Sequence, residues 1–126
     1  MFITIDEADR RPIYQQVVDE LKALMARGEL RDGSPLPPVR QLAAHLGVNL
    51  NTIATAYREL QTEGLISIRH GSGAVVTSRN SRPENVLEAA RRSLRTVLAH
   101  LVLTGLSEAE IFELVRTELQ GLISSK

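Results

Sequence analysis

The sequence predicts a mainly α-helical chain with one small β-hairpin, divided into an N-terminal domain and a two-helix tail. Three observations carry this. Apolar residues recur at helical spacing in three separate stretches before residue 62. A short turn, Gly71-Ser72-Gly73, joins two runs that read as strands. Beyond a polar stretch, residues 78–83, two further amphipathic stretches complete the chain.

Each element has a local reason. Pro12 suits the first turn of a helix, where its missing N–H is not needed. Ile13, Val17, Leu21 and Leu24 then follow at helical spacing, and Val18 and Met25 widen the stripe. Arg27 and Gly28 close this helix. Three prolines fall in Ser34-Pro35-Leu36-Pro37-Pro38, which must run extended. A short helix, residues 39–46, follows and stops at Gly47. Asn49 is a good N-cap for the next helix, with Ile53, Tyr57 and Leu60 as its inward stripe and Gly64 as its stop. Residues 65–70 and 74–77 read as two strands. Helix, helix, helix and hairpin is the order of a winged helix-turn-helix.

Residues 78–83, with Arg79, Asn80 and Arg82, read as a linker. The first tail helix carries Leu87, Ala90, Leu94, Val97 and Leu101 at alternating three- and four-residue spacing and ends at Gly105. The second opens with a capping box, Ser107 and Glu110, and is expected to bury Ile111, Leu114, Val115 and Leu122. The expected division is a winged helix-turn-helix domain over residues 1–78 and a helical tail over 79–126.

Composition removes several function classes. The chain has 126 residues, 43% hydrophobic and 24% charged, which is ordinary for one small globular domain with an appendage. Aromatics are only 3%, so the core must be aliphatic. Without Cys there are no disulfides, thiolate metal sites or cysteine nucleophiles. No apolar run approaches the roughly 20 residues that span a bilayer, so no membrane partner and a cytoplasmic location are expected. His45, His70 and His100 have no metal-ligand spacing, and Gly71 and Gly73 are too few for a phosphate loop. Neither metal nor cofactor is expected. An enzyme is disfavoured as well, because no nucleophile stands with a plausible base and no paired carboxylates form a motif.

The formal charge of +0 argues against a nonspecific polycation. Its distribution is more informative. Acid is concentrated in the first thirty residues, whereas Arg31, Arg40, Arg58 and Arg69 stand against only Asp32, Glu59 and Glu63 in residues 31–78. Neutral composition therefore leaves room for a salt-sensitive, geometry-dependent complex with nucleic acid.

The informative stretch is residues 42–64. Leu42, Ala43, Leu46 and Val48 can form the packed elbow of a helix-turn-helix, and Gly47 permits the tight turn. With Ile53, Tyr57 and Leu60 inward, Asn51, Thr55 and Arg58 turn outward and Ala54 flanks them. Asn can pair with adenine and Arg with guanine or phosphate, and small Ala54 and Thr55 allow close approach to thymine methyls. An ordinary solvated face would also be polar, so this pattern alone leaves both readings open. Tyr14 and Tyr57 lie on or beside apolar stripes, and core packing competes with a place at the site for each.

At this point the residues resemble a family. Pro12-Ile13-Tyr14-Gln15-Gln16, Gly28-Glu29-Leu30-Arg31-Asp32-Gly33, Leu36-Pro37-Pro38-Val39-Arg40-Gln41-Leu42-Ala43 and Leu46-Gly47-Val48-Asn49-Leu50-Asn51-Thr52 stand in order. Ala56-Tyr57-Arg58-Glu59-Leu60, Glu63-Gly64-Leu65-Ile66 and Gly71-Ser72-Gly73 follow. Together they resemble the DNA-binding domain of GntR-type bacterial transcription regulators over about residues 10–77. The resemblance implies that Arg40 contacts DNA at the start of the second helix. It implies that Asn49, Asn51, Thr52 and Ala54 read the major groove of a double-stranded operator, and that Arg58 meets phosphate. Arg69, His70 and Gly71 match the wing tip that enters the minor groove. Two departures bear on the operator sequence: Leu50 and Ala54 stand where some relatives carry Arg. A third, Pro38 in place of the usual Ser, loses a capping hydroxyl.

The short tail resembles that of the YtrA-like subfamily, whose two helices dimerise. Leu87, Leu94, Val97, Leu98, Leu101, Val102, Ile111 and Leu114 are the expected dimer contacts, with packing back onto the first helix as the alternative. The resemblance implies a homodimeric repressor of its own or a neighbouring operon, with transporter operons typical of the subfamily. The tail is too short for an aminotransferase-like or large effector domain. A small-molecule effector, which the sequence does not identify, would have to bind between the dimer helices or where tail meets wing. The competing function is a winged-helix protein-interaction module that has lost DNA binding. Joint retention of Arg40, Asn51, Arg58 and Arg69 speaks against it.

Overall fold

The order of elements is α1 (Ile13–Ala26), β1 (Pro35–Leu36), α2 (Val39–Leu46), α3 (Leu50–Thr62), β2 (Ile66–Arg69), β3 (Gly73–Val76), α4 (Glu84–Leu103) and α5 (Glu108–Ile123). The computed structural model describes residues 3–69, 73–77 and 84–123, the side chains of residues 84–86 excepted. The chain divides into two compact units, one ending at residue 79 and one spanning residues 80–125.

In the first unit, α1 and α2 both pack against α3, and the small sheet closes the end of the cluster. Val17, Val18 and Leu21 of α1 and Ile53, Tyr57 and Leu60 of α3 are the largest fully buried side chains. Burial of each aliphatic among them contributes about 1.5–3 kcal/mol. Ala43 of α2 and Ala56 of α3 are also buried, and their small side chains leave room for adjacent helices to approach. Ile13 departs from the expected stripe. It sits at the open end of α1 and is 40% exposed, so the buried face starts one turn later.

One buried polar side chain was not legible as such. The Gln16 Oε1 accepts from the Asp6 N–H at 3.0 Å, and its Nε2 donates to the Arg11 carbonyl at 3.2 Å. Two backbone groups of the segment before α1 are thereby satisfied, which fastens that segment, with buried Ile3, onto the helix.

The sheet has three strands in the order β1-β3-β2, not the two of a simple hairpin. The proline-rich segment supplies the third, pairing Pro35 with Val75 and Leu36 with Ala74 in antiparallel register. Gly33 N–H donates to the Val76 carbonyl and Val76 N–H to the Ser34 carbonyl, at 2.7 and 2.9 Å. Proline is tolerated here because β1 is an edge strand. A two-residue strand has no period for sequence reasoning to detect. The hairpin itself pairs Ile66 with Val76 through to Arg69 with Gly73, so that β2 starts one residue later than expected and β3 starts and ends one residue earlier.

The second unit keeps the expected helices. The capping box at the start of α5 is formed in both directions: Ser107 N–H donates to Glu110 Oε1 at 2.8 Å, and Glu110 N–H to Ser107 Oγ at 3.1 Å. The expected burial is not found within the single chain. No residue of α5 is buried, Leu114 and Val115 are 41% and 44% exposed, and Ile111 and Leu122 are half-covered. Among the described residues, every exposed large hydrophobic except Ile13, Leu50 and Ile68 lies on α4 or α5. No helix of the described residues is long and apolar enough to cross a membrane.

Candidate nucleic-acid interface

The site is built on the helix-turn-helix elbow. Gly47 takes φ 69°, a left-handed conformation that ends α2, and Val48 N–H donates back to the Ala43 carbonyl at 3.0 Å. Two residues later the chain enters α3. Asn49 caps this helix, its Oδ1 accepting from the Asn51 N–H at 2.7 Å. That bond fixes the start of α3 and occupies the side-chain acceptor of Asn49, leaving its amide N–H groups as donors.

With Ile53, Ala56, Tyr57 and Leu60 buried, the remaining faces of α3 follow from helical geometry. Asn51 and Arg58 are exposed; Thr52, Ala54 and Thr55 are partly covered. Thr52, Thr55 and Asn51 line a shallow groove of about 360 Å³ with Pro12, Ile13 and Tyr14 at the start of α1. Leu50, in the first turn, is 38% exposed.

Arg40 lies exposed in the first turn of α2. Pro38 precedes it as N-cap and makes no side-chain capping bond, as expected from a residue without a hydroxyl. The turn that carries Arg40 is instead held from two sides. Tyr57 is 1% exposed and its hydroxyl donates to the Pro37 carbonyl at 2.7 Å; burial pushes that hydroxyl's pKa up. Tyr57 is thus a core residue that braces the site, not one that faces outward. On the other side, Gly73 begins β3 with φ 82°, and a Cβ there would stand 2.8 Å from the Leu36 carbonyl oxygen. The two contacts tie the proline turn to α3 and to the wing hairpin. Neither was apparent in the sequence, because both join residues far apart in the chain.

Charge separates the faces of this unit. Arg11 is engaged by Asp9 and Asp19, Lys22 by Glu63 at 2.9 Å and Arg27 by Glu29 at 3.0 Å. Among the described residues, no side chain or carbonyl accepts from the guanidinium of Arg40, Arg58 or Arg69. Arg11, Lys22 and Arg27 are thus paired locally, while Arg40 at the start of α2, Arg58 on the outer face of α3 and Arg69 at the end of β2 keep their charge available. Arg69 is the last described residue of its strand; His70 and Gly71, expected at the wing tip, lie outside the described residues. His45 is exposed on α2, and no cluster of three or more His, Asp or Glu among the described residues could hold a metal.

The expected dimer contacts all lie on the tail. Leu87, Leu94, Val97 and Val102 of α4 are 52–61% exposed, Leu98 and Leu101 are half-covered, and Ile111 and Leu114 stand on α5. Phe112, Leu119 and Ile123 were not among the expected residues. They are exposed at 63%, 51% and 53% and form a second apolar row about a quarter-turn from the first. Spacings of seven and four residues could have revealed it.

Comparison with known proteins bears on this geometry. The family described as "Bacterial regulatory proteins, gntR family" matches residues 13–76, from the first residue of α1 to the last of β3. The HTH-type transcriptional repressor YtrA of Bacillus subtilis (strain 168) is 34% identical over 101 residues, covering 80% of this chain and 76% of its own. The crystal structure of a transcriptional antiterminator from Listeria monocytogenes EGD-e is similar in fold at TM-score 0.88 and 30% identity, covering 97% of this chain and 92% of that one. The DNA-binding domain of AraR, in a crystal structure with its operator ORX1, is similar at TM-score 0.52 and 26% identity, covering 61% of this chain and 93% of that one. With the matched segment spanning the whole winged helix-turn-helix, the chain belongs to the gntR family of bacterial regulatory proteins, DNA-binding transcription regulators and not enzymes.

Proposed function

We propose that this regulator is a homodimeric repressor of the YtrA-like kind, acting on a pseudo-palindromic operator of its own or a neighbouring operon. Residues 1–78 bind DNA and residues 79–126 dimerise. The N-terminal end of α3 enters the major groove with Asn49, Asn51, Thr52, Ala54 and Thr55, and the wing, Arg69 to Gly71, enters the minor groove. Arg40 and Arg58 meet phosphates on either side. Repression follows from occlusion of the promoter.

The observation that carries the DNA face is the set of accessible guanidinium groups, Arg40, Arg58 and Arg69, around the exposed start of α3. Phosphate contacts of this kind set register, and the Asn and Thr side chains between them are suited to base edges. The operator complex of AraR and the repressor name of YtrA from Bacillus subtilis support the same reading.

The dimer rests on the apolar surface of α4 and α5, which is too extensive to leave in water. Covering several such residues per subunit, at about 1.5–3 kcal/mol each, is enough for a stable two-fold interface. Selection of bound duplexes from a random pool, followed by gel shifts, tests the function. Arg40→Ala is expected to weaken binding to every sequence, and Asn51→Ala to relax preference at one base pair per half-site. A pool from which no sequence is enriched would overturn the reading.

A further inference from the structure

Leu50 is the one large apolar side chain of α3 left exposed, at 38%, and it stands in the first turn, beside Asn51. Ala54, one turn further on along the same line of the helix, is partly covered and offers only a methyl group. From Leu50 through Tyr57 the helix carries no cation; its first guanidinium is Arg58, two turns in. Guanine is read in the major groove by paired donors from Arg or Lys, and nothing in these two turns supplies them. What they do supply is an amide, Asn51, whose donor and acceptor match adenine N7 and N6, and an apolar edge that matches the C5 methyl of thymine.

Resting on the proposed entry of α3 into the major groove, we propose that Leu50 is a specificity-determining residue that reads thymine through its methyl group, with Ala54 permitting the close approach. The half-site facing the start of α3 is then built of A·T pairs. Asn51 takes an adenine edge while Leu50 covers a thymine methyl, on the same or the adjacent pair. The apolar side chain is exposed in the free protein and becomes covered only on a duplex that presents a methyl at that place. Discrimination therefore arises from removal of apolar surface from water and not from a hydrogen bond.

Uracil in place of thymine tests this, since it deletes the methyl and leaves the pairing edge and O4 intact. Full-length protein is first used to select duplexes from a random pool, and each thymine of the enriched half-site is then replaced singly by uracil. At one position the wild-type affinity should fall about fourfold, the transfer value of one methyl-sized group. Leu50→Ala should bind the thymine duplex more weakly than wild type and be indifferent to uracil at that position. Its far-UV circular dichroism should be unchanged, because the side chain is not part of the core. Leu50→Arg should move the selected base at that position from thymine toward guanine. The proposal is overturned if no uracil position distinguishes wild type from Leu50→Ala, or if the enriched half-site is G·C opposite the start of α3. Both outcomes leave sequence-specific binding intact, whereas a pool without enrichment removes the DNA reading and this inference together.

Discussion

The Tyr57 hydroxyl donates to the Pro37 carbonyl from inside the core, and Gly73 lets β3 run so close to β1 that a Cβ there would stand 2.8 Å from the Leu36 carbonyl oxygen. Both residues hold the segment of Leu36 and Pro37 that leads into the helix carrying Arg40. Tyr57→Phe keeps the ring and deletes the bond, so urea denaturation should show a loss of about 1 kcal/mol. Unchanged stability would mean that the Pro37 carbonyl needs no partner. Gly73→Ala adds two penalties, left-handed backbone and collision with a carbonyl that cannot swing aside. The first alone is about 1–3 kcal/mol. Gly28 provides the internal control: its φ is 84° against 82° for Gly73, yet nothing lies within 4 Å of a Cβ there. Thermal melts should therefore place Gly73→Ala clearly below Gly28→Ala; equal melting temperatures would deny the close approach any energetic weight. The sequence showed that Tyr57 lay on a stripe and that Gly73 belonged to a turn. It could not show what either touched, because Pro37 is twenty positions from Tyr57 and the contact depends on how α2 meets α3.

At the level of elements, strong local signals were readable and weak ones were not. The Gly47 stop of α2, the Asn49 cap of α3 and the Ser107–Glu110 box of α5 each depend on a few adjacent residues, and each is formed. β1 was missed because two residues flanked by prolines become a strand only when β3 lies alongside. The burial expected on α5 is not met within one chain for a related reason: periodicity reveals an apolar face, not what covers it. The α5 box also carries a pH dependence. Hydrogen bonds from the Ser107 backbone and hydroxyl partner hold the Glu110 carboxyl below the usual glutamate value of 4.5. A depressed acid stabilises the helix start above its ordinary range, and that stabilisation is lost as pH falls through the folded-state value. Circular dichroism between neutral pH and about pH 3 should show wild type losing tail helicity relative to Glu110→Gln, which keeps an accepting oxygen but does not titrate. Parallel curves for the two proteins would remove the carboxylate from the cap.

For the molecule as a whole, composition concealed what placement reveals. A formal charge of +0 coexists with a face whose arginines Arg40, Arg58 and Arg69 have no local acceptor among the described residues, while Arg11, Lys22 and Arg27 are paired with acids. Pairing with acids from another element cannot be read from a count of charges. Salt dependence joins this face to the proposed dimer. Each phosphate contact contributes about −0.9 to the slope of log affinity against log salt concentration on duplex DNA. A dimer on a palindrome uses every arginine twice, so Arg40→Ala should reduce the steepness of that slope by about 2, and a monomer on a half-site by about 1. The monomer is obtained by Leu94→Glu with Leu101→Glu, which places charge on the apolar face of α4 without touching the winged unit's core. Sedimentation should show this variant at half the mass of wild type, and its affinity for the full operator should fall. Arg40→Ala introduced into both backgrounds then separates the two claims. A change twice as large in the wild-type background supports two-fold binding. Equal changes with unchanged sedimentation would sink the dimer while leaving Arg40 at a phosphate, and no change in either background would remove Arg40 from the DNA face.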